Sequence, residues 1–308
     1  MDLVSQSLAS LKLGEPQQHE NLVLFPLLAE ADQPPGYVLL DDALERKLAR
    51  VTEVSEQGRV PELAFENGST EKVLLVDGDE LVGAKQNRVL NLTILVPGGA
   101  RIVIPVSCVE QGRWAWGARG FRTSEHILFA RAQAKKMASV SESLRSTGTR
   151  RSNQGEVWDE VAQKMAFARA SSASAAMSDA YAARSRELNP YREAFRPAAR
   201  QRGAVLAIDG KVVGLELFDS AAAFARHHGK LVQSYALDAL ETRGGGAPAP
   251  SAEDVRAFIE SLASAKVERY AALGEGEDLR LSGKGISGGA LEAGGRLVHL
   301  AGYAVPAL

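Results

Sequence analysis

Residues 74–116 read LLVDGDELVGAKQNRVLNLTILVPGGARIVIPVSCVEQGRWAW. Apolar runs at 74–76, 90–96 and 101–109 are separated by Asp77-Gly78 and Pro97-Gly98-Gly99, and a further strand starts at Leu81. Short strands with turn residues every eight to twelve positions predict a β-sandwich or partly open barrel. Yet the same stretch sets Lys85, Gln86, Asn87, Arg88 and Asn91 between runs that read as buried. A desolvated polar group costs roughly 2–7 kcal/mol unless it is partnered. Residues that break a strand pattern in this way mark either a function or a buried polar network.

Upstream, residues 22–28 (LVLFPLL) read as a buried strand, with Pro26 pointing to an edge or a kink. Residues 37–40 form a short strand, Asp41 starts a helix towards Arg50, and Asn67-Gly68 predicts a hairpin joining 60–66 to 73–76. Downstream, 124–144 and 154–186 carry helical composition, with Asn153 and Glu156 as a capping pair and Asn189-Pro190 as a stop. Strands return at 204–208 and 212–218 around Asp209-Gly210. Helices are expected at 220–228, 230–240 and 251–273, and final strands at 278–281 and 296–305. The fold class is therefore α+β: a β-rich half (1–121), a helical segment (122–202) and a smaller α+β portion (203–308), packed as one interlocked unit.

With 308 residues, 45% hydrophobic and 24% charged, the chain has the make-up of a soluble globular protein. No apolar run reaches membrane-spanning length. The first residues, MDLVSQSLASLKLGEP, lack the pattern of a signal peptide. One cysteine excludes an internal disulfide and fits a reducing cytoplasm. Net charge is −2, but residues 1–80 hold sixteen acidic against six basic side chains, whereas 113–151 hold nine basic against two acidic. That asymmetry suits a solvated basic face, contacts between subunits of a homo-oligomer, or a field that attracts a small anionic metabolite. Nucleic acid is disfavoured because the whole chain is not basic.

Strand parity would bring Arg88 and Glu110 to one side of the sheet. As architecture they would form a buried ion pair. As a pocket, Arg88 and Arg113 offer bidentate donors to phosphate or carboxylate, and Lys85 adds a point charge. Gln86, Asn87, Asn91 and Gln111 bring amides, and Glu110 or Glu80 a general base. Trp114 and Trp116 offer faces for a base to stack on, or cover the rim of the core. Cys108 reads as an inert buried thiol, or as a ligand contact or nucleophile if a cation lies beside it. The candidate catalytic residues are Glu110, Lys85 and Glu80. The candidate ligand-binding residues are Gln86, Asn87, Arg88, Asn91, Cys108, Gln111, Arg113 and Trp114. The five histidines make no metal motif, and nothing names a cofactor. Residues 283–288 (GKGISG) match a dinucleotide fingerprint in letters, but a strand follows where the fingerprint needs a helix.

The runs DGDELVGAKQNRVLN and IPVSCVEQGRW, with GEVWDEVAQKM, GAVLAIDGKVVGLELFD and KLVQSYALDAL, resemble the ARG-and-rhodanese-phosphatase-superfamily-associated protein domain over roughly residues 20–305. That family is bacterial and archaeal and largely uncharacterised. Its name reflects association with ADP-ribosylglycohydrolases and rhodanese-like phosphatases, and no catalytic residues carry over. The resemblance implies a metabolite of the ADP-ribose or NAD-derived class, bound and then hydrolysed or transferred. The alternatives are a non-catalytic ligand-binding or regulatory module and an oligomeric scaffold.

Overall fold

Alternating apolar residues build the largest sheet. In a computed structural model describing residues 2–244 and 247–305, Leu22 and Leu24 project into one core while Val23, Phe25 and Leu27 project into another. Ala204 and Leu206 divide from Val205 and Ala207 in the same way, as the two-residue period of a strand requires. The sheet runs in the order Leu11–Leu13, Leu22–Ala29, Gln201–Ile208, Lys211–Phe218, Arg296–Ala304, Ile286–Ala293, Glu277–Gly283, Lys266–Ala271, and Gln17–His19 also pairs with Leu22–Ala29. Pro26 falls in the gap between the two short outer strands, where no partner needs an N–H from it. Helices Leu3–Ala9 and Ala252–Ala263 cover one face; Ala130–Thr147 and Ala221–Ala239 cover the other. The sheet thus joins the two ends of the chain.

A second unit contains a six-stranded sheet ordered Phe121–Ile127, Asp79–Gly83, Arg88–Leu90, Arg101–Cys108, Glu62–Asn67, Ala49–Glu53. A three-stranded sheet, Ile94–Val96, Val73–Leu75, Val38–Leu39, shares its core of Val51, Phe65, Leu75, Leu90, Ile94 and Ile104. Each large apolar side chain fully buried there contributes roughly 1.5–3 kcal/mol. The outer strands Ala49–Glu53 and Phe121–Ile127 touch without pairing, so the sheet forms a half-barrel with an open seam. The architecture is α+β, with eight helices and eighteen strands among the described residues.

Several local expectations fail for identifiable reasons. Glu62–Asn67 and Val73–Leu75 lie in different sheets and do not form a hairpin. The Asn67 side chain instead donates to Glu71 O (2.7 Å) and Pro97 O (3.0 Å), tying down the crossing between sheets. Residues 90–96 split at Asn91-Leu92-Thr93: Arg88–Leu90 pairs with Arg101–Cys108, and Ile94–Val96 with Val73–Leu75. Residues 121–127 are a strand, not the start of a helix. Pro190 lies inside helix Ser185–Ala194, whose turns are anchored by buried Leu188 and Tyr191. Residues 221–239 are one helix through Gly229, because burial of Leu231, Val232 and Tyr235 outweighs the cost of about 1 kcal/mol for glycine. The last helix stops at Ala263, and Lys266–Ala271 becomes an outer strand.

Candidate functional site

The polar run of the opening stretch and the 108–114 segment do meet, but as an internal clasp. Arg113 donates to Glu110 Oε1 (2.9 Å) and Oε2 (2.6 Å), to Asn87 Oδ1 (3.2 Å), and to the carbonyls of Gly83 (3.3 Å), Ala84 (2.6 Å) and Ala115 (3.0 Å). Glu110 also accepts from Asn87 N (2.9 Å) and Ser174 Oγ (2.6 Å), while Gln86 Nε2 donates to Glu110 O (3.1 Å). Burial pushes the Glu110 carboxyl up, but these donors outweigh it and hold it below the ordinary carboxylate value. Gly83 fits here because its φ is +141° and a Cβ would lie 2.3 Å from Gly120 O.

Most of the other candidates are likewise engaged by the chain. Arg88 is fully buried; it donates to Val60 O (3.0 Å) and Asn87 O (3.3 Å) and makes no ion pair with Glu110. Lys85 Nζ donates to Gln57 O (2.8 Å) and lies over Trp114 and Trp116 at 5.2 and 5.1 Å from their centroids. Asn91 bonds Arg150 O (3.1 Å) and Ser107 Oγ (2.6 Å). Cys108 is buried, with its backbone clamped by the Gln154 amide at 2.8 and 2.9 Å. Gln111 is exposed, and Trp114 is 46% exposed. Much of the basic stretch after Arg113 is neutralised internally: Arg131 and Lys135 pair with Glu160, Lys136 with Asp77, and Arg150 with Asp278.

Open space lies elsewhere, at the seam of the half-barrel. A cleft of about 940 Å³ separates residues 49–52 and 119–125 from the end of helix Ser185–Ala194, residues 195–197, and the middle of helix Ala221–Ala239. Its volume suits a metabolite-sized ligand. Seven cationic side chains line it against the acids Asp41, Glu45 and Glu125. Arg50, Arg192 and Arg226 are paired, with Glu66, Glu125 and Asp42. Arg119, Arg122 and Arg196 are exposed, and their guanidinium groups make no ion pair or hydrogen bond among the described residues.

The seventh cation, Lys230, is buried at the floor. It bonds Asp41 at 2.7 Å and Asp79 at 3.3 Å. Burial raises the Asp41 carboxyl, but Lys230 and a hydrogen bond from Thr123 outweigh it, so Asp41 stays below its ordinary value. Asp79 is buried more deeply, and desolvation prevails over Lys230, pushing it up to about 6. His228, also lining the cleft, is lowered to about 4 by burial, neighbouring His227 and Arg196, so it is neutral at pH 7.

Beside Lys230 the outer strand bulges. Thr123 pairs with Leu81 and Ile127 with Asp79, so four steps on one strand span two on its partner. The displaced residues present Ser124 to the cleft. Ser124 Oγ donates to Glu80 Oε2 at 2.7 Å, and Glu80 Oε1 is buried without a partner. Desolvation raises the Glu80 carboxyl to about 7, with Glu110 adding to the rise. Of the sequence-derived candidates, Glu80 is the one joined to the cleft.

Sequence reasoning missed Arg119, Arg122, Arg196, Lys230, Asp41 and Ser124 as lining one cleft. One available signal was the polar run Arg226-His227-His228-Gly229-Lys230 in the middle of an Ala- and Leu-containing helical stretch. Among the described residues, no group of three or more His, Cys, Asp and Glu side chains is arranged to hold a metal ion. None of the described helices is long and apolar enough to cross a membrane.

A family model described as ARG and Rhodanese-Phosphatase-superfamily-associated Protein domain matches residues 10–303. Searches of curated proteins and of solved structures found no match.

Proposed function

The chain belongs to this family, and from that premise we propose that its cationic cleft binds an anionic, phosphate-bearing metabolite of the ADP-ribose or NAD-derived class and hydrolyses or transfers part of it. The family's name supplies the coarse link to ADP-ribose. The observation that carries the reading is the set of three unpaired arginines, two from the barrel side and one from the helical side, facing the same space. Charge-assisted bonds from guanidinium to phosphate are shorter and stronger than neutral ones, and a cleft lined by one sign of charge concentrates the opposite ion. Buried Lys230 adds a fixed positive charge at the floor, already balanced by Asp41 and Asp79. The clasp around Glu110 fixes the carbonyls of Gly83 and Ala84, next to the strand Phe121–Ile127 that lines the cleft.

A thermal-shift screen with ADP-ribose, NAD, nucleotides and sugar phosphates tests the reading. A ligand at about a hundred times its Kd stabilises the fold by roughly 2.7 kcal/mol. The expected result is an upward shift with ADP-ribose that shrinks in R122A and R196A. No shift with any phosphate-bearing ligand overturns the proposal.

A further inference from the structure

Ser124 combines three features not needed by a structural serine. It sits on an irregularity of the strand that turns residues 124–126 out of the ladder. It lines the same cleft as the unpaired arginines. Its hydroxyl faces a fully buried carboxylate, Glu80 Oε2, at 2.7 Å, with a longer contact of 3.3 Å to His126 O. His126 N–H donates back to Ser124 Oγ at 3.0 Å, which occupies one oxygen lone pair and leaves the other free. The neighbouring charges are Lys230, Arg122 and Glu110, all of which act on Glu80.

Resting on the reading of the cleft as a phosphate site, we propose that Ser124 is the nucleophile of a phosphoryl-transfer step and that Glu80 is its general base. Ser124 Oγ bonds to the phosphorus of a bound phosphate ester as its proton passes to Glu80. The bond from phosphorus to the leaving oxygen breaks on the side opposite Ser124, and that oxygen takes its proton from a water molecule. The hydroxide so formed attacks the phosphoserine from that side, and Glu80 returns its proton to Ser124 Oγ as the Oγ–phosphorus bond breaks. The sum is phosphate ester plus water giving alcohol plus phosphate. A base with a pKa near the working pH is the effective one, and burial raises Glu80 to about 7. Arg122 and Arg196 would hold the phosphoryl oxygens.

The probe is a fluorophosphonate, whose phosphorus is attacked by an activated serine with loss of fluoride. After labelling and trypsin digestion, the adduct is expected on Ser124 within the peptide of residues 123–131. The labelling rate is expected to rise as pH increases through about 7, and E80Q is expected to lower it at least about tenfold. If E80Q fails to fold, the pH profile of the unaltered protein makes the same test. An adduct absent or carried by another residue, or a rate flat between roughly pH 5.5 and 8.5, overturns the inference. If ADP-ribose still raises the melting temperature while Ser124 stays unlabelled, the chemistry falls and the binding reading stands; loss of both removes both.

Discussion

Replacing Arg113 by alanine tests whether the charged run in the opening stretch is held by the chain itself. Its guanidinium serves both Glu110 oxygens, the Asn87 amide and three carbonyls. In R113A, Glu110, whose side chain is 6% exposed, retains Ser174 Oγ and Asn87 N–H but loses its cation. Breaking a buried ion pair costs about 3–5 kcal/mol. Arg113 is 24% exposed, so water partly replaces it and the lower end, about 3 kcal/mol, applies. At roughly 1.5 °C per kcal/mol for a chain of this size, the melting temperature falls by about 4–5 °C. Circular dichroism melts of the protein and of R113A, at pH 7 and in acid, measure this. The sign with pH is fixed: Glu110 titrates below its ordinary 4.5, so its stabilisation is present above 4.5 and lost as pH falls through the depressed value. The gap between the two proteins therefore closes in acid. A melting temperature within about 1 °C of the original, with ligand binding abolished, would refute the clasp and return Arg113 to the binding site.

Glu80 works in the opposite direction. Its folded value of about 7 lies above the ordinary 4.5, so its contribution is full below 4.5 and is lost as pH rises through about 7. The loss is roughly 3 kcal/mol, and E80Q flattens that decline. Urea unfolding midpoints on either side of this window check it, and identical pH slopes for the two proteins would contradict it. Replacing Lys230 by methionine leaves Asp41 and Asp79 facing each other without their cation. A loss of about 3–5 kcal/mol at pH 7 is expected, partly recovered near pH 5 as a carboxyl protonates. Chemical denaturation at the two pH values measures it, and a loss that does not depend on pH would count against it.

The α+β class and the partly open barrel were legible because strand alternation and turn residues are local signals. Asn153 caps its helix by accepting from Glu156 N, and Ser251 with Asp254 forms a full capping box, as their spacing indicates. Pairing partners were less legible. Asn67-Gly68 carries strong hairpin chemistry, yet side-chain bonds from Asn67 to the 97 turn send the chain to another sheet. Gly229 and Pro190 are local breakers overridden by packing that only tertiary structure supplies. The sequence marks Asn87, Glu110 and Arg113 as unusual, but not that their partners are the chain's own carbonyls and amides. The cleft draws on residues from Asp41 to Gln233. No spacing rule links side chains that far apart, and the bulge presenting Ser124 depends on a register visible only in the folded sheet.

Calorimetric titration of ADP-ribose into the intact protein and into the R122A/R196A double variant decides whether the cleft is a phosphate site. Charge-assisted hydrogen bonds contribute roughly 1.5–3 kcal/mol each. Saturable binding is therefore expected that weakens at least about a hundredfold in the double variant and weakens further with added salt. No binding, or binding of equal strength in both proteins, would contradict it.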